Sequence, residues 1–172
     1  MFNSAININK LQAHNPQQMQ VQNTECATKQ QEESTLFNNN ELDQLTKFNE
    51  LKHEFYKCIE LNENQKIKNA NGAHKLLNEI KVQYSEKYFE VACEFFNACI
   101  GLTANQTLRC SFKAYEILKS IKDTHKEDHF KMLCSMFNES AKPGANQNIR
   151  DTWAAYEILK DIYSGPNCQT IL

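Results

Sequence analysis

The chain has 172 residues, enough for one domain, with 41% hydrophobic residues and a formal charge of −2; its apolar share is slightly below that of a fully packed globule, so part of it lies outside any core. The basic side is almost wholly lysine, with Arg109 and Arg150 the only arginines, and a near-neutral balance of this kind argues against a general grip on nucleic acid or on a membrane surface. Seven cysteines, odd in number and without a CxxC pair, argue against a disulfide framework.

Residues 1–40 hold 15 Asn or Gln and neither Trp nor Tyr, too little apolar surface to offset chain entropy, and they read as a disordered tail. The opening "MFNSAININKLQAH" has neither the basic start nor the apolar run of a secretory signal, and no eighteen-residue apolar span follows. A soluble protein of a reducing compartment is expected, with the cytoplasm as default.

From residue 41 the chain repeats itself. "ANQTLRCSFKAYEILKSIK" from Ala104 aligns at an offset of 41 with "ANQNIRDTWAAYEILKDIY" from Ala145, and "ENQKIKNANGAHKLLNEIK" from Glu63 falls into the same register. The intervening segments repeat too: Phe48, Phe89 and Phe130 correspond, as do Phe55, Phe96 and Phe137, Cys58 and Cys99, and Cys93 and Cys134. Phe89, Ala92, Cys93, Phe96, Cys99 and Ile100 recur at three and four residues, which is helical spacing. In the other segment Leu108, Phe112, Tyr115 and Leu118, with Ala114, Ile117 and Ile121 beside them, make a broad apolar face. The spacing predicts helices over 41–61, 65–82, 86–101, 106–122, 127–140 and 147–163. Asn64, Asn105 and Asn146 are placed to cap the second helix of each pair. Glu50 and Glu54 stand where the later units have Val91 and Phe95 or Met132 and Met136, so the first helix reads as a polar terminal cap. The connections are too short for anything but antiparallel neighbours.

The fold expected is therefore all-α: three antiparallel helix hairpins of 41 residues stacked as a short right-handed α-solenoid over 41–163, between the tail 1–40 and a C-terminal tail 164–172. The unit exceeds the tetratricopeptide length of about 34 and falls in the roughly 40–47 range of HEAT and armadillo units. Leu108-Arg109, Ile149-Arg150 and Ile67-Lys68, followed by Ala114 and Ala155, resemble the opening of the second HEAT helix, while the usual proline of the first helix is missing and Asn105 and Asn146 replace the typical Asp. "AYEILKSIK" also resembles the second helix of tetratricopeptide and pentatricopeptide units. The resemblance implies a partner-binding architecture, without a site.

Candidate binding residues follow from the period. Lys68, Arg109 and Arg150 share one repeat position and would form a row, serving either as ties between adjacent units or as a ladder for an acidic peptide or phosphate backbone. Tyr115 and Tyr156, matched by His74, are candidates to line a groove, against a core role. "HKEDH" sets His125 and His129 at metal-pair spacing, yet its acids are out of order for the zinc motifs and suit the start of a helix instead, so neither metal nor cofactor is expected. The repeated cysteines read as small core residues; Cys110, matched by Asp151, has no equivalent thiol. The terminal Thr170-Ile171-Leu172 looks like a ligand of PDZ domains. No acid, base and nucleophile converge, and no Gly-rich phosphate loop exists.

The function expected is a non-catalytic scaffold binding a partner protein or peptide along the repeat surface. A single-stranded RNA-binding repeat protein is the alternative, opposed by the charge. The Asn-, Lys- and Ile-rich composition behind a disordered leader also resembles effectors that intracellular bacteria secrete into host cells, which would place the chain in a host cytosol.

Overall fold

A computed structural model describes residues 41–164; the expectations placed on 1–40 and on the C-terminal peptide ending Thr170-Ile171-Leu172 lie outside the described residues. The chain divides into two units, Met1–Thr46 and Lys47–Leu172, and every contact discussed below is within the second.

Every regular element among the described residues is a helix: α1 over 41–59, α2 Ala70–Gln83, α3 Ser85–Ile100, α4 Ser111–Ile121, α5 Lys126–Ala141 and α6 Thr152–Ser164. Consecutive helices from α2 to α6 touch, and α4 also touches α6, the second helix of the next pair. The fold is an all-α helical repeat.

The helices form because their apolar residues fall on one stripe. Tyr88, Val91, Ala92, Phe95, Phe96 and Cys99 line the buried side of α3, and Ala114, Ile117, Leu118 and Ile121 that of α4. Phe55 from α1 meets Phe95 edge-on at 5.7 Å, which carries the core from the first pair into the second. Glu50 and Glu54 are exposed where Val91, Phe95 and Met136 are buried, so α1 carries the polar side expected of a terminal helix.

The starts of the second helices differ from expectation. They lie five residues later than predicted, at Ala70, Ser111 and Thr152, because each link first closes a small hairpin. The N–H of Asn62 donates to the carbonyl of Lys66 at 2.9 Å, the N–H of Gln65 donates back to Asn62 at 2.9 Å, and Leu61 bridges Ile67. The same bonds recur 41 residues on between Thr103, Gln106 and Thr107, and again between Gly144, Gln147 and Asn148. This is a three-residue hairpin loop closed by a left-handed residue, and Gln65, Gln106 and Gln147 have φ of 59°, 59° and 62°. A left-handed residue cannot continue a helix. Asn64, Asn105 and Asn146 consequently sit in the hairpin turns and do not cap. The caps fall at Asn69, whose side chain accepts from the Gly72 N–H at 2.8 Å, and at Asp151, which accepts from the Ala154 N–H at 2.9 Å.

Candidate interaction surface

The row of cations lies just after each hairpin, and each member has a partner inside the protein. Arg109 donates from Nε to the Gln65 carbonyl at 2.8 Å, reaching into the preceding pair, and its NH1 lies 3.4 Å from the Ala98 carbonyl. Gly101 leaves the space for it, since a Cβ there would collide with the guanidinium. A backbone bond from the Ala104 N–H to the Asn64 carbonyl at 3.0 Å joins the same two hairpins. Arg150 holds the Glu139 carboxylate at 2.8 Å and the Pro143 carbonyl at 3.2 Å. Lys142 first, with Arg150 behind it, keeps Glu139 below the usual carboxylate range. Lys68 pairs with Glu60 at 2.5 Å in the open, where such a bond contributes little. Between the second and third hairpins lies an open depression of about 430 Å³ lined by Asn105, Thr107, Asn146, Asn148 and Arg150. It offers three side-chain amides, one hydroxyl and the Arg150 guanidinium for hydrogen bonding.

A different face is left uncovered. Three positions on the outer side of the second helices read Asn71, Phe112 and Trp153, then His74, Tyr115 and Tyr156, then Asn78, Lys119 and Lys160. Phe112, expected in the core, is 53% exposed; Trp153 is 42% and Tyr156 60% exposed. The Phe112 and Trp153 rings lie 6.0 Å apart, and Trp153 meets Tyr115 edge-on at 5.7 Å. α4 and α6 together thus present a run of aromatic rings across two pairs. Lys119 sits 5.0 Å over Tyr115 and Lys160 5.0 Å over Tyr156, so the ammonium groups fringe the rings.

Two of the lysines on this face are paired with carboxylates. Lys113 bonds Glu116 at 2.8 Å and Lys160 bonds Glu157 at 2.7 Å, while the Tyr115 hydroxyl donates to Asp161 at 2.9 Å. Burial, then Asp161, pushes the Tyr115 hydroxyl up to about 12, so it stays a donor. In the first pair His74 takes the tyrosine position beside Lys113 and Glu116, and burial, then Lys113, keeps its imidazole below the ordinary range. The sequence brought Tyr115 and Tyr156 forward but missed Phe112 and Trp153. The signal was available: a position filled by Asn71 in one repeat is not a core position in the others.

The remaining candidates are placed by packing. His125 precedes α5 and stacks on Phe89 at 3.8 Å with the rings parallel to within 2°. Among the described residues no three His, Cys, Asp or Glu side chains gather where an ion could sit. Cys99 is fully buried, and Cys58, Cys93, Cys110 and Cys134 are half-buried. No helix among the described residues is long and apolar enough to cross a membrane. No protein-family model, curated protein or solved structure matches the chain.

Proposed function

We propose that the chain is a non-catalytic scaffold, HEAT-like in plan, that binds a partner protein or peptide through the aromatic face of α4 and α6. The observation that supports this is the exposed cluster of Phe112, Trp153 and Tyr156, with Tyr115 behind it. Tryptophan and tyrosine dominate binding energy at protein interfaces because they bury large area with few rotors to immobilise. Of the lysines of the face, Lys113 and Lys160 are bonded to Glu116 and Glu157 and Lys119 lies over the Tyr115 ring, and the chain is net acidic. Such an aromatic surface suits an apolar peptide anchor with a polar rim better than a phosphate backbone, which requires unpaired cations. The cytoplasm of the producing cell, or the cytosol of a host cell if the chain is exported as an effector, is the proposed location.

The test is affinity capture with the full chain after nuclease treatment, comparing the wild type with Trp153→Ala/Tyr156→Ala. The double variant is expected to lose at least about tenfold of the bound partner, the equivalent of roughly 1.4 kcal/mol, while its melting temperature stays close to wild type. Partner binding that survives the substitutions, or that disappears on nuclease treatment, overturns the proposal.

A further inference from the structure

The junction that delivers each hairpin into a second helix is built three times from the same two positions. In each, the N–H of the later residue donates to the carbonyl of the earlier one: Asn69 to Cys58 at 3.0 Å, Cys110 to Cys99 at 3.0 Å and Asp151 to Ser140 at 3.1 Å. The later residue immediately precedes the helix. Asn69 and Asp151 each offer a side-chain oxygen to the N–H three residues on. The position therefore demands an acceptor, and in the third pair that acceptor is an anion. Before α4 the residue is Cys110.

A neutral thiol serves this position poorly: the Cys110 sulfur faces the Lys113 N–H, three residues on, without the full cap bond its equivalents make. A thiolate would supply both the acceptor and the negative charge favoured at the positive end of the 11-residue α4. The groups around the pair are Lys113 and Glu116 from α4, Arg109 from the hairpin and Cys99 from α3, with His74 of α2 against Lys113. The backbone bond at 3.0 Å sets Cys110 directly beside Cys99. The neighbouring Cys99 thiol, aided by the Lys113 N–H and ammonium, pulls the Cys110 thiol down to about 6 against the opposing effect of burial. Cys110 in turn, then burial, pushes the Cys99 thiol up. The middle junction thus pairs a half-buried nucleophilic sulfur with a fully buried protonated one. The other two junctions, Cys58 with Asn69 and Ser140 with Asp151, lack a second sulfur.

We propose that Cys110 is an oxidative modification site, at which its thiolate reacts with hydrogen peroxide and Cys99 converts the product to a Cys99–Cys110 disulfide. The Cys110 sulfur attacks one peroxide oxygen, the O–O bond breaks, and hydroxide leaves and takes up a proton as water; Cys110 is oxidised to the sulfenic acid as peroxide is reduced. The Cys99 sulfur then attacks the Cys110 sulfur and the S–O bond breaks, with the departing hydroxide taking the Cys99 proton. Two thiols and one peroxide become one disulfide and two waters. The bond clamps the end of α3 to the start of α4, at the base of the hairpin that Arg109 ties to the first pair.

The test uses the reduced full chain at pH 7 with one equivalent of hydrogen peroxide, followed by alkylation of residual thiols and peptide mapping of all seven cysteines. A Cys99–Cys110 peptide pair forming before any other thiol is lost is the result expected. In the unoxidised chain, alkylation of Cys110 should be half-maximal near pH 6, and Cys99→Ser should leave a dimedone-reactive sulfenic acid at Cys110. Cys110→Asp copies the third junction, so it should retain the native melting temperature and form no such pair. Cys110 recovered as a free thiol, a preferred pairing with another cysteine, half-maximal alkylation at the ordinary value of about 8.5, or no dimedone adduct in Cys99→Ser would each overturn the proposal.

Discussion

The second and third helix pairs carry nearly the same residues with different burial. Leu118 is 1% exposed and its equivalent Leu159 is 36%; Ile121 is fully buried and Ile162 is 37% exposed; Leu108 is 8% exposed and Ile149 is 52%. Local sequence cannot account for this, because Leu118 and Ile121 recur unchanged as Leu159 and Ile162, and Leu108 is replaced only by the isomeric Ile149. Neighbours can: α4 is contacted by α3, α5 and α6, whereas among the described helices α6 is contacted by α5 and α4. Residues exposed only in the last pair therefore mark an uncovered end of the stack. Phe112 and Trp153 behave differently, being exposed in the middle pair as well as the last. Their rings meet across the two pairs and still stay open to solvent, and for that reason they define a face.

The largest effects should separate the two pairs by stability. Leu118→Ala removes a fully enclosed side chain and is expected to cost about 2–5 kcal/mol, while Leu159→Ala should cost under about 1 kcal/mol. Urea unfolding of the two variants checks this; equal losses would break the comparison. A smaller contrast runs along the basic row. Arg109→Ala removes bonds to two carbonyls, one of them in the preceding pair, and is expected to cost about 1–3 kcal/mol. Lys68→Ala should leave the unfolding midpoint unchanged, since its pair with Glu60 is open to water. A stable Arg109 variant that has lost its partner would move binding back to the row.

The smallest effect is electrostatic. Burial lowers the folded-state pKa of His74, with Lys113 adding to it, and of His129, with Lys122 adding to it. The unfolded chain then binds more protons than the folded one as acid is added. The stability these imidazoles carry is fully present above their unfolded value of about 6.5 and is lost as pH falls through the lower folded values. Thermal melts between pH 7.5 and 5 should show a decline that His74→Gln/His129→Gln flattens; an unchanged slope would remove both residues from the account.

The helices and their period are legible in the sequence because identical side chains recur at 41 residues and each stripe keeps helical spacing. The hairpins are not, since a left-handed turn ordinarily advertises itself with Gly or Asn and here the residue is Gln65, Gln106 or Gln147. Without the turn, periodicity starts each second helix five residues early, so that Asn64, Asn105 and Asn146 take the cap position that belongs to Asn69, Cys110 and Asp151. The aromatic face was half legible: Tyr115 and Tyr156 stood out, while Phe112 joined the core on periodicity alone. The sequence showed Cys110 facing Asp151 in register. Its partner Cys99 needed the hairpin, which brings together two residues eleven apart.

The most direct test sets face against end. Full-length chains carrying Phe112→Ser/Trp153→Ser on the face, or Leu159→Ser/Ile162→Ser on the end, should be compared with wild type for capture of the same protein partner, with folding monitored by circular dichroism. The folded face variant should lose the partner and the end variant should keep it. A folded face variant that still binds, beside an end variant that does not, would contradict binding through the aromatic face.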